Sequence, residues 1–208
     1  MTTERVAVVL GTRNHGKIAE FRSLLKGMSI RLLSFFDFPN VPEIKENGKT
    51  FQQNAEKKAK AIAKATTTIA IAEDSGLEVD YLGGAPGVRS ARFTGEHANE
   101  RDNSRRVLNL LDGVSWEKRT AKFVCVMCAA DPQGETVYAE GVCHGSVSFE
   151  MRGTHGFGYD PIFVPEGHSL TMAEMDPNLK NKISHRAEAM RKFRDTLKQF
   201  LESHGGTV

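Results

Sequence analysis

Short apolar runs alternate with segments of helical period along the first third of the chain, which restricts the available folds more than any other feature. Residues 5–10 (RVAVVL) read as a buried strand. Residues 15–26 follow with Ile18, Phe21, Leu24 and Leu25 at helical spacing, and Gly27 is placed to cap that helix. IRLLSF supplies another strand, and PNVPEIKENGK a polar loop. Thr50 opens a second helix, where T-x-x-Q (Thr50, Gln53) predicts a capping box and Phe51, Ala55, Ala59 and Ile62 form the packed side. TTTIAIA then reads as a β-branched strand that stops at EDSG.

Further on, the pattern changes. LGGAPGVRSARFTG is a glycine- and proline-rich loop and ERDNSRRVLNLLDG an amphipathic helix. KRTAKFVCVMCAA and ETVYAEGVCHGSVSFE meet at DPQG, which predicts an antiparallel hairpin. RGTHGFGYDPIFV starts as a loop and ends as a strand. ISHRAEAMRKFRDTLKQFLESHGG is the last helix, with Ser184 as N-cap, Gly205 beyond its end, and Ala187, Met190, Phe193, Leu197 and Phe200 along one side. Alternation followed by a hairpin predicts an α/β fold with a mixed central sheet flanked by helices. The 208 residues suit a single domain in two lobes, with residues 1–4 and 204–208 as flexible ends.

Several classes are disfavoured at once. A formal charge of +2 and 8% aromatic residues give neither the basic field nor the stacking platforms of a nucleic-acid binder. No apolar run approaches 18 residues and no signal-peptide pattern opens the chain, so a soluble, cytoplasmic protein without a membrane partner is expected. Cys125, Cys128 and Cys143 lack a redox or zinc context and are expected to be buried core residues.

The corner TRNHGK, Thr12 to Lys17, lies between a strand and a helix. Unpaired N–H groups at a positive helix end suit phosphate, and Lys17 adds a full charge. Glu73, Asp74 and Ser75 follow the apolar strand, placing two carboxylates at the sheet's carboxyl edge, where oxygen ligands beside phosphate suit Mg²⁺. The competing reading makes Asp74 a turn cap with Glu73 solvated. Asn54 and Lys58, four apart, share a helix face, although six lysines crowd Lys45–Lys64 and Lys58 by itself reads as solvated. In GTHGFGYDP, Phe157 or Tyr159 can stack on a base, Gly158 allows close backbone approach, and Asp160 can accept from ring N–H groups. Lys180, Lys182, His185 and Arg186 crowd the start of the last helix; alone, the His–Arg pair reads as a surface feature. Taken together, these groups fit a nucleoside triphosphate held at both ends.

The motifs resemble those of the inosine triphosphate pyrophosphatases. They are T-x-N-x-x-K at Thr12–Lys17, TFQQNAEKKA at Thr50–Ala59, AEDSGLEVDYLGGAPGVRSARFTG at Ala72–Gly95, GFGYDPIF at Gly156–Phe163 and K-x-x-I-S-H-R at Lys180–Arg186. The resemblance implies hydrolysis of dITP, ITP and XTP to monophosphate and pyrophosphate. It further implies an elongated two-lobed fold with a cleft between lobes, Mg²⁺ dependence and a homodimer. It assigns the triphosphate to Thr12, Asn14 and Lys17 with Lys58 helping, and substrate contact to Arg13, His15, Gly16 and Ser75. Phe157, Gly158, Tyr159, Asp160, Lys180, His185 and Arg186 would enclose sugar and base. Asp74 would be catalytic and a metal ligand. Where the family tends to carry a second metal-binding glutamate, this chain has Lys45, so Glu46 and Glu73 are the further metal candidates. Two rivals remain: a nucleotide sensor without turnover, and a pyrophosphatase for modified pyrimidines.

Overall fold

The computed structural model describes residues 5–39, 41 and 44–205. Of the expected flexible ends at 1–4 and 204–208, residues 1–4 and 206–208 lie outside the described residues, as do 40, 42 and 43 of the predicted polar loop. The chain forms two compact units, one of Met1–Asp74, Val126–Gly141 and Ala189–Val208, the other of Ser75–Cys125 and Val142–Glu188. Its mixed sheet has six strands, β1 (Val6–Leu10), β2 (Ile30–Ser34), β3 (Ile69–Val79), β4 (Thr120–Ala130), β5 (Thr136–Val147) and β6 (Phe163–Pro165). Their order is β2-β1-β3-β4-β5-β6. The helices are α1 (His15–Leu24), α2 (Phe51–Thr66), α3 (Glu100–Leu110), α4 (Pro177–Ile183) and α5 (His185–Ser203).

In the first unit β1 runs parallel to β2, Val6 opposite Ile30, and parallel to β3, from Val8 opposite Ile69 to Leu10 opposite Ile71. Parallel strands with both faces covered read as continuous apolar runs, as VAVVL and IAIA do. Val8, Val9, Phe21, Ala55, Ala59, Ile62 and Ile71 are closed to solvent, as is the expected stripe of α5 at Met190, Phe193, Leu197 and Phe200. Helix α1 is capped at Leu25 rather than Gly27, because the Leu25 N–H already reaches the Phe21 carbonyl; Gly27 takes a left-handed φ of 90° in the turn beyond. Only half of the predicted capping box forms. Thr50 Oγ1 accepts from Gln53 N–H, but Gln53 Oε1 reaches back to Lys49 N–H instead of Thr50.

The principal correction concerns β3. It does not stop at Ala72 but continues through EDSGLEV, where Leu77 and Val79 are again fully buried. Its register with β1 ends at Ile71, and Gly11 N–H closes that edge on the Ile71 carbonyl at 2.7 Å. The acidic pair therefore sits mid-strand, just past the carboxyl end of β1.

Opposite ends of β4 and β5 meet through Asp131 N–H to Glu135 O and Val147 N–H to Arg119 O, so the hairpin is antiparallel as predicted. At its turn Asp131 Oδ1 accepts from the N–H groups of Gly134 and Glu135, both at 2.7 Å. All three cysteines are buried. The second unit packs Leu77, Val79, Val107, Leu111, Phe123, Ile162, Phe163 and Met172 into one core. Beside it lies Arg119, whose guanidinium donates to the carbonyls of Val147 (2.8 Å), Leu111 (2.7 Å), Val114 (3.5 Å) and Ser148 (2.6 Å). Helix α4, unforeseen in the sequence, starts at Pro177 under an Asp176 cap and ends at Ser184. Ser184 leaves the helical backbone, and its Oγ accepts from Ala187 N–H at 3.2 Å, which starts α5 where the N-cap was expected.

Candidate active site

In the first unit the Thr12–Lys17 corner is held by its own polar side chains. Thr12 Oγ1 accepts from Asn14 N–H (3.2 Å), and Asn14 Oδ1 accepts from Lys17 N–H (3.1 Å) as the N-cap of α1. Gly16 lies in that helix's first turn. The Arg13 guanidinium lies 4.6 Å from the centre of the Phe35 ring, and His15 stacks on Phe36 at 5.5 Å. The exposed N-terminal turn of α1 is thus braced by two phenyl rings from the Phe35–Asp37 3₁₀ turn. Lys17 Nζ forms an ion pair with Glu73 Oε1.

Helix α2 delivers Asn54 and Lys58 one turn apart, as their i, i+4 spacing requires. Asn54 is wholly buried and Lys58 only 9% exposed, while Glu73 and Asp74 are 3% and 6% exposed. The solvated readings of Lys58 and Glu73 are therefore wrong, and Asp74 lies within β3 rather than at a turn. Asn54 Nδ2 donates to Asp74 Oδ2 at 2.9 Å, and Asn54 Oδ1 accepts from Gly48 N–H at 2.7 Å. A Cβ on Gly48 would stand 2.6 Å from that same Oδ1, so the close approach needs glycine. Lys58 Nζ is 2.9 Å from Glu46 Oε1 and 3.9 Å from Asp74 Oδ1.

Glu46, Glu73 and Asp74 meet two lysines, leaving negative charge in excess. Burial pushes the Asp74 carboxyl up from 3.8 to about 6; Lys58 and Asn54 draw it back, and Glu46 and Glu73 raise it further. Burial acts to lower the Lys58 pKa, but Asp74, Glu46 and Glu73 outweigh it and hold the ammonium above its usual value. Asp74, Glu73 and Glu46 are the oxygen donors in this cluster that could hold a divalent cation.

The second unit carries the remaining candidates. Arg186 Nη2 donates to Ser75 Oγ at 2.9 Å, and its guanidinium lies 5.0 Å from the centre of the half-buried Phe157 ring. Lys180 Nζ lies 4.7 Å from the same ring and donates to Asp160 Oδ2 at 2.8 Å, which also accepts from Phe157 N–H. Two cations and a carboxylate thus fix one aromatic ring. Gly158, at φ 64°, donates its N–H to Glu100 Oε2 (2.7 Å) and accepts from Ser104 Oγ (3.1 Å). Tyr159 points into the core, its hydroxyl donating to the Ser90 carbonyl at 2.8 Å, and burial pushes its pKa up. His185 stacks on Phe123 at 4.6 Å with 11° between ring planes. Both His185 and Arg186 are buried, so the expectation of a surface pair fails.

Two structural partners are absent from the candidates read in the sequence. Glu100 and Ser104 gave no signal because their contacts with Gly158 span more than 50 residues. Asn54 announced itself only through its spacing to Lys58, with nothing to reveal its bond to Asp74.

The Ham1 family model matches residues 8–196. A dITP/XTP pyrophosphatase of Shouchella clausii is 47% identical over 190 residues, covering 91% of this chain and 96% of that protein. One from Bacillus licheniformis is 47% identical over 192 residues, covering 92% and 98%. The structure of a HAM1 protein from Coxiella burnetii superposes with a TM-score of 0.85 at 38% identity, covering 93% of this chain and 99% of that one. Matches that embrace both units, at such identity and nearly full coverage, leave one assignment: this chain belongs to the Ham1 family.

Proposed function

We propose that this protein is a nucleoside triphosphate pyrophosphatase that hydrolyses dITP, ITP and XTP to the monophosphate and pyrophosphate, with Mg²⁺, as a cytoplasmic homodimer. One observation carries the chemistry: a buried carboxylate, Asp74, is fixed by Asn54 and shares the Lys58 ammonium with Glu46. The relatives named dITP/XTP pyrophosphatase supply the substrate class.

The cluster fits Mg²⁺ in kind, since all its acidic donors are oxygens and their charge exceeds that of the two lysines. Asp74 would hold the ion with Glu73 or Glu46; when bound, it supplies neutralisation of the triphosphate and polarisation of an attacking water. The side chains do the rest. Lys17 and Lys58 offset the charge of the phosphates, and the Thr12–Lys17 corner presents N–H groups at the start of α1. A water oxygen bonds to the α-phosphorus while the bond from that phosphorus to the bridging oxygen breaks, and pyrophosphate leaves with the electron pair. Asp74 is placed to orient the water and accept its proton, and the Asn54 bond to Oδ2 fixes its rotamer.

Discrimination against adenine falls to Arg186; guanine shares the 6-keto group, so its exclusion falls to its 2-amino group. A fixed guanidinium donates to the 6-keto oxygen of hypoxanthine or xanthine, whereas the 6-amino group of adenine would set donor against donor. Pyrophosphate release from ITP, dITP, XTP, GTP, ATP and dUTP with Mg²⁺ tests the proposal. Turnover confined to the first three and abolished in Asp74→Asn is the expected result. Nucleotide binding without pyrophosphate would mean a sensor, and preference for dUTP a pyrimidine enzyme; either outcome refutes it.

A further inference from the structure

Apart from the lysine–carboxylate cluster, three metal-ligating side chains of the first unit converge where the β4–β5 turn meets the end of α5. Asp131 is buried, and its Oδ1 is committed to the turn N–H groups of Gly134 and Glu135. Its Oδ2 lies 3.1 Å from His204 Nε2, and Glu135 Oε2 lies 3.8 Å from the same nitrogen. The three ligand atoms lie within 4.8 Å of one another, the one such convergence among the described residues.

The tautomer of His204 decides what this arrangement means. Its Nδ1 is 2.7 Å from the Phe200 carbonyl, which can only accept, so Nδ1 carries a proton. A neutral imidazole then directs the Nε2 lone pair at two carboxylates. That juxtaposition is repulsive until a cation stands at Nε2, either a proton or a metal ion. An N–H bonded to a backbone carbonyl is also how metal-bound histidines are oriented. An ion about 2.1 Å from each donor would span the two edges at His204 Nε2 at angles of roughly 95° and 130°, within the range of a distorted tetrahedron.

We propose that Asp131, Glu135 and His204 form a site for a late first-row divalent cation, with Zn²⁺ as its type, that pins the C-terminal end of α5 to the β4–β5 turn. An imidazole with two carboxylates selects such an ion over Mg²⁺, whereas the lysine-bearing cluster offers only oxygen.

The test uses the full-length protein stripped with chelator, titrated with Zn²⁺ alone at pH 7.5 against a competing chromogenic chelator. Wild type, His204→Gln and Glu135→Gln are compared, with the other six histidines as common background. Wild type should bind one more equivalent than His204→Gln, and Glu135→Gln should bind it at least tenfold more weakly. Zinc should raise the thermal midpoint of wild type but not of His204→Gln. Co²⁺ at the same site should give a visible spectrum that His204→Gln lacks. Equal stoichiometry and affinity in wild type and His204→Gln would show that only a proton bridges these groups, and would overturn the proposal. Should His204→Gln fail to fold, the exposed Glu135→Gln decides the question by its affinity alone.

Discussion

Replacing Asp74 by Asn should make the metal-free protein more stable while nearly abolishing turnover. The Asp74 pKa rises from 3.8 to about 6 on folding, so the folded state favours the protonated acid. The cost of ionising it is absent well below pH 3.8 and complete above pH 6, and stability is lost as pH rises through that window. At about 1.4 kcal/mol for each pH unit, the full cost is about 3 kcal/mol at pH 8. At pH 4 the same relation leaves only about 0.5 kcal/mol. The introduced carboxamide matches the neutral acid in shape, its oxygen can still accept from Asn54, and Lys58 keeps Glu46 as partner. The assay is urea unfolding of both proteins with chelator present, at pH 8 and pH 4. The variant should gain on the order of 3 kcal/mol at pH 8 and almost nothing at pH 4. A variant no more stable than wild type at pH 8, or a gain equal at both pH values, would refute the claim that buried charge at Asp74 strains the fold.

Lys58→Met leaves Glu46 and Asp74 without their shared cation, and should cost roughly 3 kcal/mol in urea unfolding at pH 7.5. Arg119→Met strips donors from several backbone carbonyls and should lower stability by about 3 kcal/mol or more, read by fluorescence of Trp116 during unfolding. Tyr159→Phe loses one buried hydroxyl contact and should cost about 1 kcal/mol. Because that hydroxyl is bound to the Ser90 carbonyl, steady-state kinetics of the variant should show an unchanged KM for ITP.

Much of the architecture was legible because local signals agreed with tertiary demand. VAVVL, the α2 stripe, the DPQG turn and the Ser184 cap each declare themselves within a dozen residues. The end of β3 did not, because EDSG looks like a turn unless Leu77 and Val79 are known to be buried beyond it. Similarly, Lys58 reads as one lysine among many until Asp74, sixteen residues away, is seen beside it. Arg119 could not be read at all: nothing local distinguishes a guanidinium that bridges carbonyls from one in solvent, since Val147 and Ser148 lie 28 and 29 positions further on.

Under the proposed reaction, the pairing of Lys17 with Glu73 and of Lys58 with Glu46 and Asp74 bears on how the catalytic cycle ends. Each ammonium already has an internal anion that an arriving phosphate must displace. A highly charged chain of phosphates competes well with carboxylates for those cations, whereas a nucleoside monophosphate competes poorly. The resting protein thus reclaims its own lysines once the chain is cut, which favours turnover over product inhibition.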